Sequence, residues 1–365
     1  MTKLETSHTW QEIHAQPGIW QAWAEPLAAQ SAEIREWIAA KGIKRIVFSG
    51  AGTSAFIGQV LASTKTGAIS LAAIATTDIV SNPSETLIND AELLVVQFGR
   101  SGNSSETIAT LDLLDEHFPK VHRLNITCNG ESALAVRPAK GPGEQRVIVL
   151  PEATHDRAFA MTSSYTTMLL SALACIDATA DVAAKLGDLS AAATKAIAQL
   201  DSTPAPHSER AIFLGSGALT GVARESALKV LELTAGQVMT NWDSTLGFRH
   251  GPKASVVGDT RVVVFIHPDQ HSERYDLDIA REIAQQFPLA TVTTVGGEGC
   301  DLALQLTAAN HQGDSRWDAV LYVLLAQIWS ARWSAELDLN IDNPFIDQGN
   351  LTRVVSGVKI YPFKA

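Results

Sequence analysis

From residue 45 onward, short apolar runs alternate with longer amphipathic stretches. RIVFSG (45–50) reads as a buried strand closing on glycine, and TSAFIGQVLAST (53–64) as the helix after it. ELLVVQF (92–98), VHRLNIT (121–127) and QRVIVL (145–150) are further strands, and SETIATLDLLDEH (105–117) and SYTTMLLSALACIDATA (164–180) have helical periodicity, the latter opening a long helix. Strands that alternate with helices predict a parallel sheet with helices packed on its faces. Residues 1–40 carry no such runs. Trp10, Trp20, Trp23 and Trp37 recur there at loosely helical intervals, which predicts one or two helices packed on the body.

The pattern then restarts. ERAIFLGSGALTGVARESALKVLEL (209–233) echoes KRIVFSGAGTSAFIGQVLAST (44–64) as basic residue, apolar strand, G-x-G and helix. RVVVFIH (261–267) matches ELLVVQF, LATVTTVGG (289–297) supplies another strand, and WDAVLYVLLAQIWSARWSAEL (317–337) is a late apolar helix. An internal repeat of this size predicts two α/β domains in tandem. The expected division is a helical extension over 1–40, a first domain over 41–200 and a second over 205–365, joined by the polar, Pro-containing DSTPAPHSE (201–209).

Composition narrows the function. The 365 residues are 46% hydrophobic and 18% charged, with a net charge of −11. No Lys/Arg block is present, so neither nucleic acid nor an anionic membrane is expected as a partner. The three cysteines, Cys128, Cys175 and Cys300, are far apart and form no C-x-x-C, which fits a reducing compartment and argues against zinc knuckles and disulfides. The N-terminal stretch has no apolar core of a signal peptide, and MLLSALAC (168–175) is too short to span a bilayer. The expectation is a soluble cytoplasmic protein. No histidine cluster has metal-ligand spacing; His267 and His271 lie at i, i+4, but Pro268 stands between them. No metal or cofactor is expected.

Two loops carry anion chemistry. GAGTSAFIG (50–58) joins a strand to a helix, where Gly52 lets the backbone approach an anion and Thr53 and Ser54 add hydroxyls. Alone, this loop also fits a variant of the dinucleotide fingerprint, or mere packing glycines. GRSGNSSET (99–107) places Arg100, Ser101, Gly102, Asn103 and Ser104 in a second strand-to-helix loop, rich enough in donors to wrap one phosphate monoester. Ser104 or Ser105 also suits a helix N-cap, and both roles use the same amides. The second copy reads HPDQHSER (267–274) at this place, without glycine. In RESALKVLEL (224–233), Glu225, Lys229 and Glu232 fall on one helical face, either a solvated stripe or the wall of a cleft. A carboxylate beside a lysine in a partly dry cleft can act as a general base. In GFRHGPK (247–253), His250 sits in a turn fixed by Gly251 and Pro252, where Arg249 and Lys253 are expected to favour its neutral form.

Taken together, GAGTSAFIG, FGRSGNSSE, THDRAFAMTSS (154–164), RESALKVLELTAG (224–236), GFRHGPK and RVVSGVKIYPF (353–363) resemble the sugar isomerase (SIS) family of phosphosugar-binding proteins, as two SIS domains in tandem. The match resembles the isomerase half of glutamine:fructose-6-phosphate amidotransferases and, more closely, the bacterial galactosamine-6-phosphate deaminase/isomerases. The resemblance implies an α/β fold of two parallel sheets flanked by helices, a phosphosugar substrate, and a homodimer with shared sites. It implies phosphate contacts from Ser54, Ser101 and Ser104, with Gly52, Thr53, Arg100, Gly102 and Asn103 in the same loops. Glu232 becomes the base for aldose–ketose proton transfer, with Glu225 and Lys229 near the sugar, and His250 the ring-opening residue, in the amidotransferases supplied by the neighbouring subunit. No glutaminase domain is expected ahead of residue 40. Arg353 stands where the amidotransferases carry a Schiff-base lysine, which favours a non-covalent route. His155, Asp156 and Arg157 receive no role. The implied reaction takes galactosamine 6-phosphate and water to tagatose 6-phosphate and ammonia. Glucosamine-6-phosphate deamination on the same scaffold, a non-catalytic phosphosugar sensor and an NAD enzyme remain as alternatives.

Overall fold

A computed structural model describes residues 3–63, 67–304 and 313–364. The chain opens with α1 (His8–Ala40) and then builds a first set of elements. These are β1 (Arg45–Ser49), α2 (Thr53–Ala62), β2 (Ser70–Ala73), α3 (Thr76–Ser81), α4 (Pro83–Thr86), β3 (Leu93–Gly99), α5 (Ser105–Glu116), β4 (His122–Thr127), α6 (Ala133–Val136), β5 (Gln145–Val149) and α7 (Ser163–Ile176). After α8 (Val182–Ser202) come β6 (Arg210–Gly215), α9 (Ala218–Leu233), β7 (Met239–Asp243), β8 (Thr260–Phe265), α10 (Gln270–Gln286), β9 (Thr291–Gly296), β10 (Leu302–Ala303) and α11 (Ser315–Glu336).

The strands form two five-stranded parallel sheets, ordered β2-β1-β3-β4-β5 and β7-β6-β8-β9-β10. The two orders are the same, so the repeat in the sequence is a repeat of topology. Each sheet reverses direction of growth between its first and third strands, and at that point the loops leaving the two strands part and open a crevice. The stacked pairs Phe48–Phe98 and Phe213–Phe265, with centroids 6.4 and 6.3 Å apart, occupy equivalent places in the two sheets.

The central strands are apolar runs because both faces are covered: every residue of β3 and of β8 is buried. On one face of the first sheet, Val47, Leu93 and Val95 pack with Leu113 and Leu114 of α5 and with Phe118. In the second, Ile212, Leu214, Val262 and Val264 pack with Ile279 and Ile283 of α10 and with Phe248.

The chain falls into two compact units that are not contiguous stretches. The β1–β5 unit comprises Ala22–Asp156, Ser163–Lys185 and Thr352–Ala365. The β6–β10 unit comprises Met1–Gln21, Arg157–Thr162 and Leu186–Leu351. The linear division at 200/205 thus differs from the packing at the C-terminal segment, at most of α8 and within the N-terminal helix. The expected one or two N-terminal helices are one, unbroken by Pro17 and Pro26. Pro17 has no N–H for the carbonyl of Ile13, and the side-chain amide of Gln16 donates to it instead, at 3.0 Å. The long helix expected from 164 ends at Ile176, and α8 is a separate element.

The start of α2 lies tight against the end of β1. A Cβ on Gly50 would stand 2.6 Å from the backbone carbon of Ser54 and 2.7 Å from its oxygen. The Gly50→Ala protein is therefore expected to lose about 2 kcal/mol of stability through strain at this turn. Denaturant unfolding monitored beside the parent measures it; an unchanged midpoint would show that the turn has room to relax.

Candidate active site

In the β1–β5 unit the crevice is flanked by the loops after β1 and β3. Gly52, with φ 56° and ψ −129°, precedes α2 and turns the chain so that the helix starts at Thr53 and Ser54, both buried. The loop after β3 begins with buried Arg100. Gly102 follows at φ 64°, where an added Cβ would lie 2.3 Å from Ser132 Oγ, so only glycine fits. Ser101 Oγ accepts from the Asn103 amide at 3.3 Å, and Asn103 Oδ1 accepts from Ala133 N at 2.8 Å, which ties the loop to α6. Ser104 is the N-cap of α5, accepting from Thr107 N at 3.3 Å. Two helix N-termini and hydroxyls at 53, 54, 101 and 104 thus belong to two neighbouring loops, a donor set suited to a phosphate monoester.

Arg353 and the residues after it belong to the same unit. Arg353 Nη2 donates to the Asp156 carbonyl, and Arg100 Nη2 donates to the Arg353 carbonyl at 3.1 Å. Ser105 N donates to Val355 O at 3.3 Å, Val358 N donates to Ser105 Oγ at 3.2 Å, and the Phe363 ring packs edge-on against His117. The segment RVVSGVKIYPF is therefore a strap across the first turn of α5. Nothing in its local pattern announces this, because its partners lie some 250 residues earlier.

The THDR stretch divides by role. The Asp156 carboxylate is buried and accepts from the amides of Ser163 and Ser164 at 3.2 and 3.0 Å and from both hydroxyls at 2.5 Å, capping α7. His155 is half-buried; burial lowers its pKa, and the positive charges of Arg353 and Arg100 lower it further. Arg157 belongs to the other unit, where its amide donates to Glu12.

Glu225, Lys229, Glu232 and His250 lie in the β6–β10 unit. The charged stripe of α9 is not a solvated face: Glu225 and Lys229 are fully buried. Lys229 Nζ stands 3.4 Å from Glu225 Oε1 and donates to Glu232 Oε2 at 2.6 Å, and the Glu232 side chain is 23% exposed. One buried ammonium thus fixes a carboxylate that keeps access to solvent, as a general base requires.

The turn carrying His250 is pinned by Phe248, which is buried in the core and contributes about 1.5–3 kcal/mol by that burial. Arg249 and Lys253 both pair with a carboxylate of α10. Arg249 Nε donates to Glu282 at 2.7 Å, Lys253 Nζ donates to the other oxygen of Glu282, and the hydrogen bonds from Lys253 and Arg249 lower the Glu282 pKa. Both cations are committed to α10. His250 itself is exposed, and its ring has no hydrogen-bond partner among the described residues.

Burial pushes the Cys128 and Cys175 thiols up to about 12 and raises that of Cys300, so none of the three offers a thiolate at neutral pH. Among the described residues no group of three His, Cys, Asp or Glu side chains could hold a metal ion, and no helix is long and apolar enough to cross a membrane.

Two parallel sheets with a switch-point crevice and hydroxyl-lined loops define a SIS-domain protein, and the SIS domain model matches residues 41–178. The chain is 36% identical to the D-galactosamine-6-phosphate deaminase AgaS of Shewanella sp. (strain ANA-3), over 100% of this chain and 94% of that one. It is 36% identical to the D-galactosamine-6-phosphate deaminase AgaS of Escherichia coli O157:H7, over 98% and 97%. The crystal structure of tagatose-6-phosphate ketose/aldose isomerase from Escherichia coli superposes with a TM-score of 0.87 at 33% identity, covering 100% of this chain and 99% of that one. The chain belongs to the AgaS family of SIS-domain proteins.

The buried ammonium gives a stability test. Lys229→Met leaves Glu225 buried without this partner, and removing one member of a buried ion pair costs about 3–5 kcal/mol. Glu225→Leu/Lys229→Met together should recover much of that loss in denaturant unfolding. A double variant no more stable than Lys229→Met would contradict the pairing.

Proposed function

We propose that this protein deaminates and isomerises D-galactosamine 6-phosphate, giving tagatose 6-phosphate and ammonia. What carries this reading is that similarity to the named deaminases runs the whole length of the chain, so it takes in both the hydroxyl-lined loops and the Glu232 helix. The phosphate is bound by Ser54, Ser101 and Ser104, with Gly52, Thr53, Arg100, Gly102 and Asn103 shaping the cradle. Opening of the pyranose, by a proton leaving O1 and one reaching the ring oxygen, is the work of His250. The open chain carries an aldehyde at C1 and an amine at C2. Glu232, held by Lys229, takes the C2 proton; return of a proton to C1 gives a C2 imine, which water hydrolyses to the ketone and ammonia. The substrate's own carbonyl acidifies C2, so this route calls on no metal or redox group.

His250 is exposed and its ring has no hydrogen-bond partner among the described residues, which supports a role in the site of a second copy and hence a homodimer. A phosphate ester does not cross membranes freely, which supports a cytoplasmic setting.

Ammonia release is the direct test. The purified protein, with no cofactor added, should liberate ammonia from galactosamine 6-phosphate faster than from glucosamine 6-phosphate, and hardly at all from free galactosamine. Glu232→Gln should bind the substrate but lose exchange of the C2 proton with deuterated water. Preference for the gluco epimer would reassign the substrate, and full activity of Glu232→Gln would remove the assigned base.

Arg353 generates a second test. Guanidinium stays protonated and is no nucleophile at neutral pH. Borohydride added during turnover should leave the protein mass unchanged. A trapped adduct on Lys229, Lys253 or Lys359 would instead establish a Schiff-base route.

A further inference from the structure

The second crevice has the frame of the first and a different content. Gly217 repeats the geometry of Gly52, with φ 58° and ψ −124°, and a Cβ on Gly215 would stand 2.5 Å from the Leu219 carbonyl oxygen, as one on Gly50 would approach Ser54. The helix that follows begins with Ala218 and Leu219 where the first copy has Thr53 and Ser54, so the hydroxyls at the helix start are gone. By the equivalence of the stacked phenylalanine pairs, His267 takes the place of Arg100.

A carboxylate lies against these loops. Asp276, in the second turn of α10, is fully buried. Its Oδ1 accepts from the Ser216 hydroxyl at 2.5 Å, Ser216 being the middle residue of the G-x-G turn. Its Oδ2 accepts from the His267 amide, just beyond the end of β8, at 2.9 Å. One donor from each of the two loops is the pattern with which such a crevice meets a bound anion. Burial raises the pKa of Asp276, and the hydrogen bonds from the Ser216 hydroxyl and the His267 amide oppose that shift.

The same carboxylate reaches the turn of His250. The Ser216 hydroxyl gives its only proton to Asp276, so at 2.7 Å it accepts from Thr245 Oγ1. Thr245 is buried and opens the turn, in which Phe248 N donates to Ser244 O and His250 N to Gly247 O. With Glu282 gripping Arg249 and Lys253, α10 holds this turn at two points.

We propose that Asp276 is a built-in occupant of the second copy's anion crevice, standing where the first copy takes a phosphate, and that through Ser216 and Thr245 it positions the turn carrying His250. The positioning half rests on the ring-opening role given to His250. The chain accordingly binds one sugar phosphate, in its first crevice, and uses the second to hold catalytic machinery in place.

Removing the side chain vacates the crevice, and a small free anion can then replace it. Asp276→Gly is expected to lose about tenfold or more in kcat on galactosamine 6-phosphate while KM stays within about twofold. Sodium formate should restore part of that kcat and raise the melting temperature of the variant. Sodium chloride at equal ionic strength should do neither, and the parent enzyme should not respond to formate. A gap with only a structural role would not regain kcat with formate. Undiminished kcat in Asp276→Gly, or no formate-specific gain in kcat and melting temperature, overturns the proposal. If the glycine variant does not fold, Asp276→Asn carries the test: it keeps the crevice filled but alters the polarity of the Ser216–Thr245 link. Its kcat should fall at constant KM without response to formate, and parental kcat would overturn the proposal. His250→Asn, assayed alongside, separates the failures. A fully active His250→Asn enzyme refutes the ring-opening reading, whereas an inactive one beside a fully active Asp276→Gly enzyme refutes the positioning role itself.

Discussion

The close approach of a helix start to a strand end, made twice, governs both crevices. At Gly50 and Gly215 the following helix backbone comes so near that a side chain has no space. That approach aims the first free amides of α2 and α9 over the carboxyl ends of β1 and β6. The strand order then brings the loop after β3 or β8 to the opposite side of the same gap. A parallel sheet of this order offers anion-binding backbone before any side chain is chosen.

The two copies use that frame for different ends. The first lines it with hydroxyls and needs Gly102 in a left-handed conformation to carry its second loop. The second fills it from within, where Asp276 meets Ser216 and the His267 amide, and the link continues to Thr245. Polar chemistry in the second unit concentrates on α9, where Lys229 is buried against Glu225 and Glu232. Burying that ammonium is tolerable because two carboxylates meet it, and Glu232 alone of the three keeps some exposure.

The fold was legible because its central strands are buried on both faces. Runs such as LLVV and VVVF carry no polar interruption, and the glycines at the ends of β1, β3 and β6 mark the crevices. The edge strands β2 and β7 escaped notice for the opposite reason: SLAA and MTNWD are half-exposed and too short or polar to stand out. Of the site, the loops and the α9 stripe were visible as local spacing. Their long-range partners were not. Glu282 lies 33 residues from Arg249, Asp276 lies 60 from Ser216, and the C-terminal strap meets Arg100 and Ser105 from 253 residues away. A pattern read along the chain records which residues share a face, and leaves open which distant residue neutralises a charge.

The central claim is that the sugar phosphate is anchored in the β1–β5 unit while Glu232 acts on its C2 proton. A crystal structure of Glu232→Gln with galactosamine 6-phosphate tests it most directly. The account predicts phosphate density among Ser54, Ser101 and Ser104, the second crevice still closed by Asp276, and C2 of the sugar within hydrogen-bonding reach of the residue 232 side chain of one copy. Phosphate bound in the second crevice, or a C2 remote from residue 232 in every copy, would contradict it.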